Sequence, residues 1–420
     1  MFVALTIGLV AGAGLVWLVS HHRDSRVILH PIEDCPSPDL PRFVRTAGPL
    51  LGSSFIDGNE IAVLRNGDEI FPAMLEAIRS AQKTICFETF IYWSGEVGRA
   101  FADAFVNRAR AGVRVYVLLD YVGSLRMDHQ LVGRLVEAGC VVERFHPPSL
   151  LHPSRINNRT HRKLLVVDGR TGFTGGVGIS DKWAGHAQDP QHWRDTHFRL
   201  TGPAVTQMQA VFMVNWIKVT GRIETSDDFF PELEPAGESA AQLFHSSPED
   251  GRENVRLMFL LGIQSARRSI RLTQAYFLPD EQCRQALALA ARRGVSVKVI
   301  APGTLNDSAA VRRASRATWG ELLEAGVEIH EFQPTTLHTK CLVVDEHWCS
   351  VGSANFDPRS FRLNDEANLN ILSPTIAATL NRHFEEDLAR SRRISLKEWQ
   401  TRSLGERLQA WGYRRVRRLL

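Results

Sequence analysis

No CxxC pair occurs in the 420 residues, and none of the six cysteines, at 35, 86, 140, 283, 341 and 349, has a second ligand at metal-binding spacing. That absence argues against zinc-ribbon and thioredoxin-like chemistry and against a disulfide framework. The six are expected to be ordinary thiols of a reducing compartment. Carboxylates do not gather into a metal-binding cluster either, so no metal and no cofactor is expected. The net charge of +4 is too small to argue for a nucleic-acid partner, and none is expected. Uncharged apolar runs are missing with one exception, Phe2–Ser20, whose 19 residues suffice for one membrane-spanning helix. A composition of 44% hydrophobic and 23% charged residues fits folded domains and excludes a polytopic membrane protein.

No basic residue precedes that run, and its small residues, Ala11–Gly14, lie in its middle, so residues 1–20 read as an anchor rather than a cleaved signal. Arg23 and Arg26 follow it, which places the later domains in the cytoplasm under the positive-inside tendency. Residues 21–50 carry Pro31, Pro36, Pro38 and Pro41 and are expected to form an extended tether. At the other end, Ser391–Leu420 holds nine Lys or Arg against two Glu, with Leu404, Leu408 and Trp411 at helical spacing. Residues 391–420 are therefore predicted to be a basic amphipathic helix lying on anionic lipid headgroups.

Between these ends the chain repeats itself. Thr84–Tyr92, an apolar helical stretch Phe101–Arg110 and Gly112–Asp120 match Ser269–Phe277, Cys283–Arg293 and Gly294–Pro302 in the same order. Leu135-Val136-Glu137-Ala138-Gly139 matches Leu322-Leu323-Glu324-Ala325-Gly326, and each copy then reaches a His-x-Lys segment. Each copy reads as strand, helix, strand. The prediction is an α/β fold: two homologous α/β sandwich domains, residues 51–220 and 246–390, joined by a linker over 221–245. They would form a pseudo-dimer that builds one active site from two halves.

The paired motifs carry the chemistry. They are His161-Arg162-Lys163 running to Asp168, and His338-Thr339-Lys340 running to Asp345. With a strand period of two, His and Lys project from one face, while each Asp falls at a strand end where it more naturally braces a turn. Two imidazoles and two ammonium groups at one point suit a phosphoryl group. One imidazole attacks phosphorus, the other handles the proton of the alcohol, and the lysines neutralise the oxygens. Asp195 and Glu366, each following one motif, are the candidates to orient the imidazoles. Ser353 and Asn355 are candidate phosphate donors, and Gly175, Gly176 and Gly352 would let backbone approach it.

On these residues the chain resembles the phospholipase D superfamily, marked by a doubled HxKx4D motif, and within it bacterial cardiolipin synthases. The similarity spans roughly residues 55–390 and includes Glu88–Tyr92, Phe173–Gly176, Trp193–His197, Gln274–Phe277 and Gly352–Ser360. It implies transfer of a phosphatidyl group between two anionic phospholipids at a bacterial inner membrane, through a phosphohistidine, with no obligate protein partner. It also implies catalytic roles for His161, Lys163, Asp168, His338, Lys340 and Asp345, with His161 favoured as nucleophile. Hydrolysis to phosphatidic acid is the alternative, ahead of a nuclease. One position departs from the family: Gly178 stands where a second asparagine, matching Asn355, is usual, and His197, Trp183 or backbone is the expected substitute for it.

Overall fold

The computed structural model describes residues 28, 32, 34–148, 157–250 and 253–402. The expected anchor and residues 403–420 of the expected tail lie outside the described residues. No helix among the described residues is long and apolar enough to cross a membrane.

The first half contributes strands β1 (Ile56–Arg65), β2 (Thr84–Thr89), β3 (Arg114–Asp120), β4 (Val141–Phe145), β5 (Arg159–Thr160), β6 (Leu164–Val167), β7 (Thr171–Gly175) and β8 (Thr196–Thr201). The second contributes β9 (Ser239–Ser246), β10 (Ser269–Gln274), β11 (Ser296–Pro302), β12 (Glu328–Phe332), β13 (Lys340–Val344), β14 (Trp348–Gly352), β15 (Asn364–Leu372) and β16 (Ser391–Ile394). The two sets share one order, β1-β8-β7-β6-β2-β3-β4 and β9-β15-β14-β13-β10-β11-β12, as a duplication requires. They do not form separate sheets. β1 pairs antiparallel with β9, Ile56 opposite Ala241 and Asn59 opposite Ser239, so both halves run through a single 16-stranded sheet.

The strand sequences explain their positions. β2 and β13 are buried throughout, as strands covered on both faces must be. Parallel pairing of β2 with β3 and β3 with β4 is reached through the crossover helices Glu96–Arg110 and His129–Glu137. Helix starts carry ordinary caps: Asp280 accepts from the Cys283 N–H, and Ser373, followed by Pro374, accepts from the Ile376 N–H. Helices Val205–Thr220 and Pro374–Ala389 bury residues in one core with strands of both halves, for example Phe212 and Ala377 with Phe198, Leu243 and Ile371. All six cysteines are buried and free.

Three sequence expectations are corrected. Residues 41–51 of the expected tether form a helix, Pro41–Leu51, whose Phe43, Ala47 and Leu51 enter the core of the second half beside Trp348. Pro41 stands at its first turn, where a missing N–H costs nothing. The expected linker ends early, because Ser239–Ser246 is a central strand; its Phe229 is buried and stacks on Tyr116. The expected tail helix begins as a strand, Ser391–Ile394, antiparallel to β12, so the second half extends past residue 390.

Because Phe43 is 1% exposed and packs edge-on to Trp348 at 5.6 Å, Phe43→Ala is expected to lower the unfolding free energy by about 3 kcal/mol. Chemical denaturation checks this. A change below about 0.5 kcal/mol, within the usual range of surface substitutions, would return the segment to a dispensable tether.

Candidate active site

Each His-x-Lys segment crosses from its own half to the other. β5 pairs parallel with the start of β15, Arg159 opposite Asn364 and Thr160 opposite Asp365, and the His161 N–H then donates to the Asp365 carbonyl at 2.8 Å. The second copy repeats the arrangement. The Arg194 N–H donates to Thr336 at 2.9 Å and the His338 N–H donates to the Arg194 carbonyl at 2.8 Å. Each histidine is thus tied to the residue just before the other half's acid. His161 Nδ1 lies 3.0 and 3.1 Å from the Glu366 carboxylate oxygens, and His338 Nδ1 lies 2.8 Å from Asp195 Oδ2.

Both acids are buried and held by further donors. Glu366 receives Ser353 Oγ at 2.5 Å, Ser360 Oγ at 2.7 Å and Asn364 Nδ2 at 3.3 Å. Asp195 receives Trp183 Nε1 at 2.9 Å and the Thr196 N–H at 2.8 Å. Burial works to raise both carboxyls. Their histidines outweigh it, with Lys163 and Ser353 helping at Glu366 and Lys340 at Asp195, and both acids end below the usual range. Burial drives His161 down to about 4, only partly offset by Glu366; burial and the Lys340 charge lower His338. Each imidazole is therefore neutral at pH 7, with its Nδ1 proton donated to a carboxylate and Nε2 left as a lone pair, which in His338 has Lys340 Nζ at 3.2 Å.

The lysines complete the electrostatics. Lys163 Nζ donates to the His161 carbonyl at 2.7 Å and Lys340 Nζ to the His338 carbonyl at 2.6 Å. Burial, and for Lys163 the charge of Lys340, pushes them down to about 7 and about 8. Two ammonium groups bonded to carbonyls rather than carboxylates, with the charge of Lys340 felt at Lys163, favour an anion beside them. Phe90 lies edge-on to His161 at 5.2 Å, and Trp183 and Trp193 flank His338 at 5.2 and 5.5 Å, which excludes water around both rings.

Several proposed site residues lie elsewhere or do other work. Asp168 and Asp345, expected among the catalytic residues, sit at the far ends of β6 and β13 at positive φ. Each carboxylate accepts three backbone N–H groups, from Gln82, Lys83 and Thr84 and from Arg267, Arg268 and Ser269. Each stands seven positions beyond its histidine, about 23 Å along an extended chain. Ser353 directs its hydroxyl at Glu366 instead of a phosphate. The glycines make room for neighbours. A Cβ at Gly176 would fall 2.2 Å from Asp195 Oδ1, and one at Gly175 or Gly352 would strike the adjacent strand. His197, also expected to bind substrate, is 1% exposed, with both ring nitrogens unpartnered. Burial takes it down to about 3, and it lies behind Lys163 in a recess lined by Glu88 and Thr89. Asn355 is buried with its side-chain oxygen unpartnered. At the matching Gly178 a Cβ would come 2.8 Å from Ile91 Cβ, so an asparagine has no room.

Sequence reasoning missed the support under His161. Glu88 accepts from Thr160 Oγ1 and from Asn215 Nδ2 at 2.8 Å, and Asp120 Oδ2 accepts the Thr160 N–H at 3.0 Å. A glutamate inside the wholly buried strand Thr84–Thr89 was the available signal.

The family described as "Cardiolipin synthase, PLD-like domain" matches in two stretches, residues 74–191 and 260–388. The chain is 35% identical over 353 residues to a probable cardiolipin synthase of Bacillus subtilis (strain 168), covering 83% of this chain and 70% of that one. It is 36% identical over 359 residues to the major cardiolipin synthase of the same organism, covering 84% and 74%. Among solved structures, the phosphatidylserine synthase of Haemophilus influenzae Rd KW20 superposes with a TM-score of 0.65 at 16% identity, over 88% of this chain and 96% of that one. The polyphosphate kinase of Porphyromonas gingivalis gives 0.54 at 12% identity, over 94% and 57%. At these identities the structures speak to the fold alone.

The turn-bracing geometry of Asp345 makes a distinct prediction. Asp345→Ala should cost about 1–3 kcal/mol of stability by orphaning three N–H groups, with turnover per folded molecule unchanged. Thermal melting beside an active-fraction assay checks it; lost turnover at unaltered stability would put Asp345 in the chemistry.

Proposed function

The chain belongs to the phospholipase D-like cardiolipin synthase family, and from that premise we propose that it joins two phosphatidylglycerols into cardiolipin and releases glycerol. The observation that carries this reading is the crossed pair of neutral imidazoles, each oriented by the other half's carboxylate, beside two lysines with no carboxylate of their own.

The donor's phosphodiester sits between Lys163 and Lys340, with Asn355 nearby as an amide donor. Its negative charge favours protonation of His338, whose second proton is then available at Nε2. His161 Nε2 attacks phosphorus, the bond to the headgroup glycerol breaks, and the His338 proton goes to the departing oxygen. Glu366, holding the Nδ1 proton of His161, stabilises the positive phosphoimidazole that forms. In the second half, neutral His338 takes the proton from a primary hydroxyl of the acceptor. That oxygen attacks phosphorus, and the P–N bond returns its electrons to His161. The lysines act in both halves as charge accumulates on the non-bridging oxygens.

The substrate is a phospholipid, so access is from a membrane surface. We assign anchoring to Phe2–Ser20 as a single span, with the catalytic halves on the cytoplasmic side of a bacterial inner membrane, and a second contact to Leu404, Leu408, Trp411 and the surrounding arginines.

The full-length protein in detergent, given phosphatidylglycerol vesicles, should form cardiolipin and glycerol by mass spectrometry. His161→Ala and His338→Ala should each reduce the rate by about a thousandfold or more. Phosphatidic acid as the only product would replace transfer by hydrolysis. The rate should also be bell-shaped in pH. As pH falls toward about 4 His161 gains a proton and ceases to be a nucleophile; as it rises His338 loses the proton it must donate, and through about 7 to 8 the lysines lose their charge. Bound phosphate holds the ammonium groups protonated, so the alkaline limb of kcat should lie at higher pH than that of kcat/KM. Coincident alkaline limbs would argue against lysine charge as their cause.

A further inference from the structure

The sheet register carries the second half of the site beyond its histidine. β10 pairs with β13 so that Gln274 faces Lys340, and the Ala275 N–H donates to the Thr339 carbonyl at 3.0 Å. The next residue, Tyr276, therefore leaves the strand beside the His338 segment. Its hydroxyl donates to Asp307 Oδ2 at 2.5 Å, from a turn that Asn306 fixes by donating to the Gly303 and Thr304 carbonyls. Tyr276 and Asp307 line a shallow open recess together with Pro302, Ser308 and Arg312. The charge of Asp307 is felt at both His338 and Lys340, which sets the recess against that half of the site.

Among the described residues the first half places no phenol and carboxylate at the matching positions. The repeat aligns Ile91 with Tyr276, and Ile91 packs so closely on Gly178 that a Cβ there would lie 2.8 Å away. One half is closed by an aliphatic contact; the other offers a phenol and a carboxylate. Asp307 is exposed, and beyond its bond from Tyr276 its carboxylate keeps lone pairs for hydroxyl protons. Arg312 also lines the recess, and with Arg316 and Arg392 it surrounds the single buried carboxylate of Glu331 at 2.6, 2.7 and 3.0 Å. Arg392 also pairs with Glu398 at 2.6 Å, so with Asp307 the arginines around the recess are balanced and Lys340 is the cation left to meet the lipid's phosphate.

We propose that this recess is the subsite for a glycerol headgroup, with Asp307 and Tyr276 holding its hydroxyls. It rests on the transfer reading given above, and it accounts for both half-reactions with one pocket. The glycerol that departs takes its proton from His338, and the acceptor's hydroxyl surrenders its proton to the same nitrogen, so both alcohols must stand in one place. A diol fits there because one hydroxyl reacts while its neighbour donates to Asp307. A monohydric alcohol has only the reacting hydroxyl and gains nothing from Asp307.

The test is a competition in phosphatidylglycerol vesicles containing 1-butanol, reading the ratio of cardiolipin to phosphatidylbutanol by mass spectrometry. Asp307→Asn should lower that ratio about tenfold to a hundredfold, the loss expected for a hydrogen bond to a charged group, and Tyr276→Phe should lower it to a smaller extent. Added free glycerol should lose its power to reverse cardiolipin formation in the same proportion. Because the ratio does not depend on how much protein is folded, an unchanged ratio in both variants overturns the subsite whatever the total rate. Wild-type protein that forms neither product refutes phosphatidyl transfer itself, and the subsite with it.

Discussion

Two backbone hydrogen bonds, from His161 to the Asp365 carbonyl and from His338 to the Arg194 carbonyl, set the position of everything else in the site. A side chain can be re-aimed by rotating a few bonds, but a main-chain bond fixes the Cα and the direction from which the imidazole projects. Each bond ends on the residue preceding an acid, so the acid's distance to the ring follows from chain geometry alone. Three buried ionisable groups per half would otherwise be costly, since an uncompensated buried charge is strongly destabilising. Here each imidazole stays neutral, each carboxylate has several donors, and only the lysines remain in want of a counter-charge.

The continuous sheet makes that precision possible. Two domains meeting through side chains would be free to slide or hinge. β1 and β9 instead pair as neighbours, and the helices Val205–Thr220 and Pro374–Ala389 bury residues from both halves in one core. The halves cannot separate without breaking strand pairing and exposing that core. Chemistry that needs two histidines on opposite sides of one phosphorus is served by a scaffold that does not flex between them.

What could be read from the chain was what is local. The doubled His-x-Lys motif, the strand–helix–strand order and the duplication are statements about spacing, and spacing is written in sequence. That Glu366 serves His161 and Asp195 serves His338 is a fact of tertiary crossing; nothing near either histidine announces it. Pro41–Leu51 was misread because its prolines outweighed the stripe Phe43, Ala47, Leu51, although a proline in the first turn is harmless to a helix. The glycines were assigned to phosphate because small residues near a motif suggest ligand approach. Their actual neighbours, Asp195 and the adjoining strands, are distant in the chain. Asp168 and Asp345 fall at strand ends by spacing, which pointed to turn bracing; the catalytic role came only from the family motif, and the geometry follows the spacing.

The contact between Ile91 and Gly178 has a historical consequence. Two copies that began alike carried matching residues at each position. Once an aliphatic side chain filled the place beside residue 178, an asparagine there would collide with it, while trimming Ile91 alone would leave a void with nothing to fill it. Return to equivalence now requires two simultaneous changes, each harmful by itself. The interlock acts as a ratchet: the halves are free to diverge further and barred, one substitution at a time, from becoming copies again.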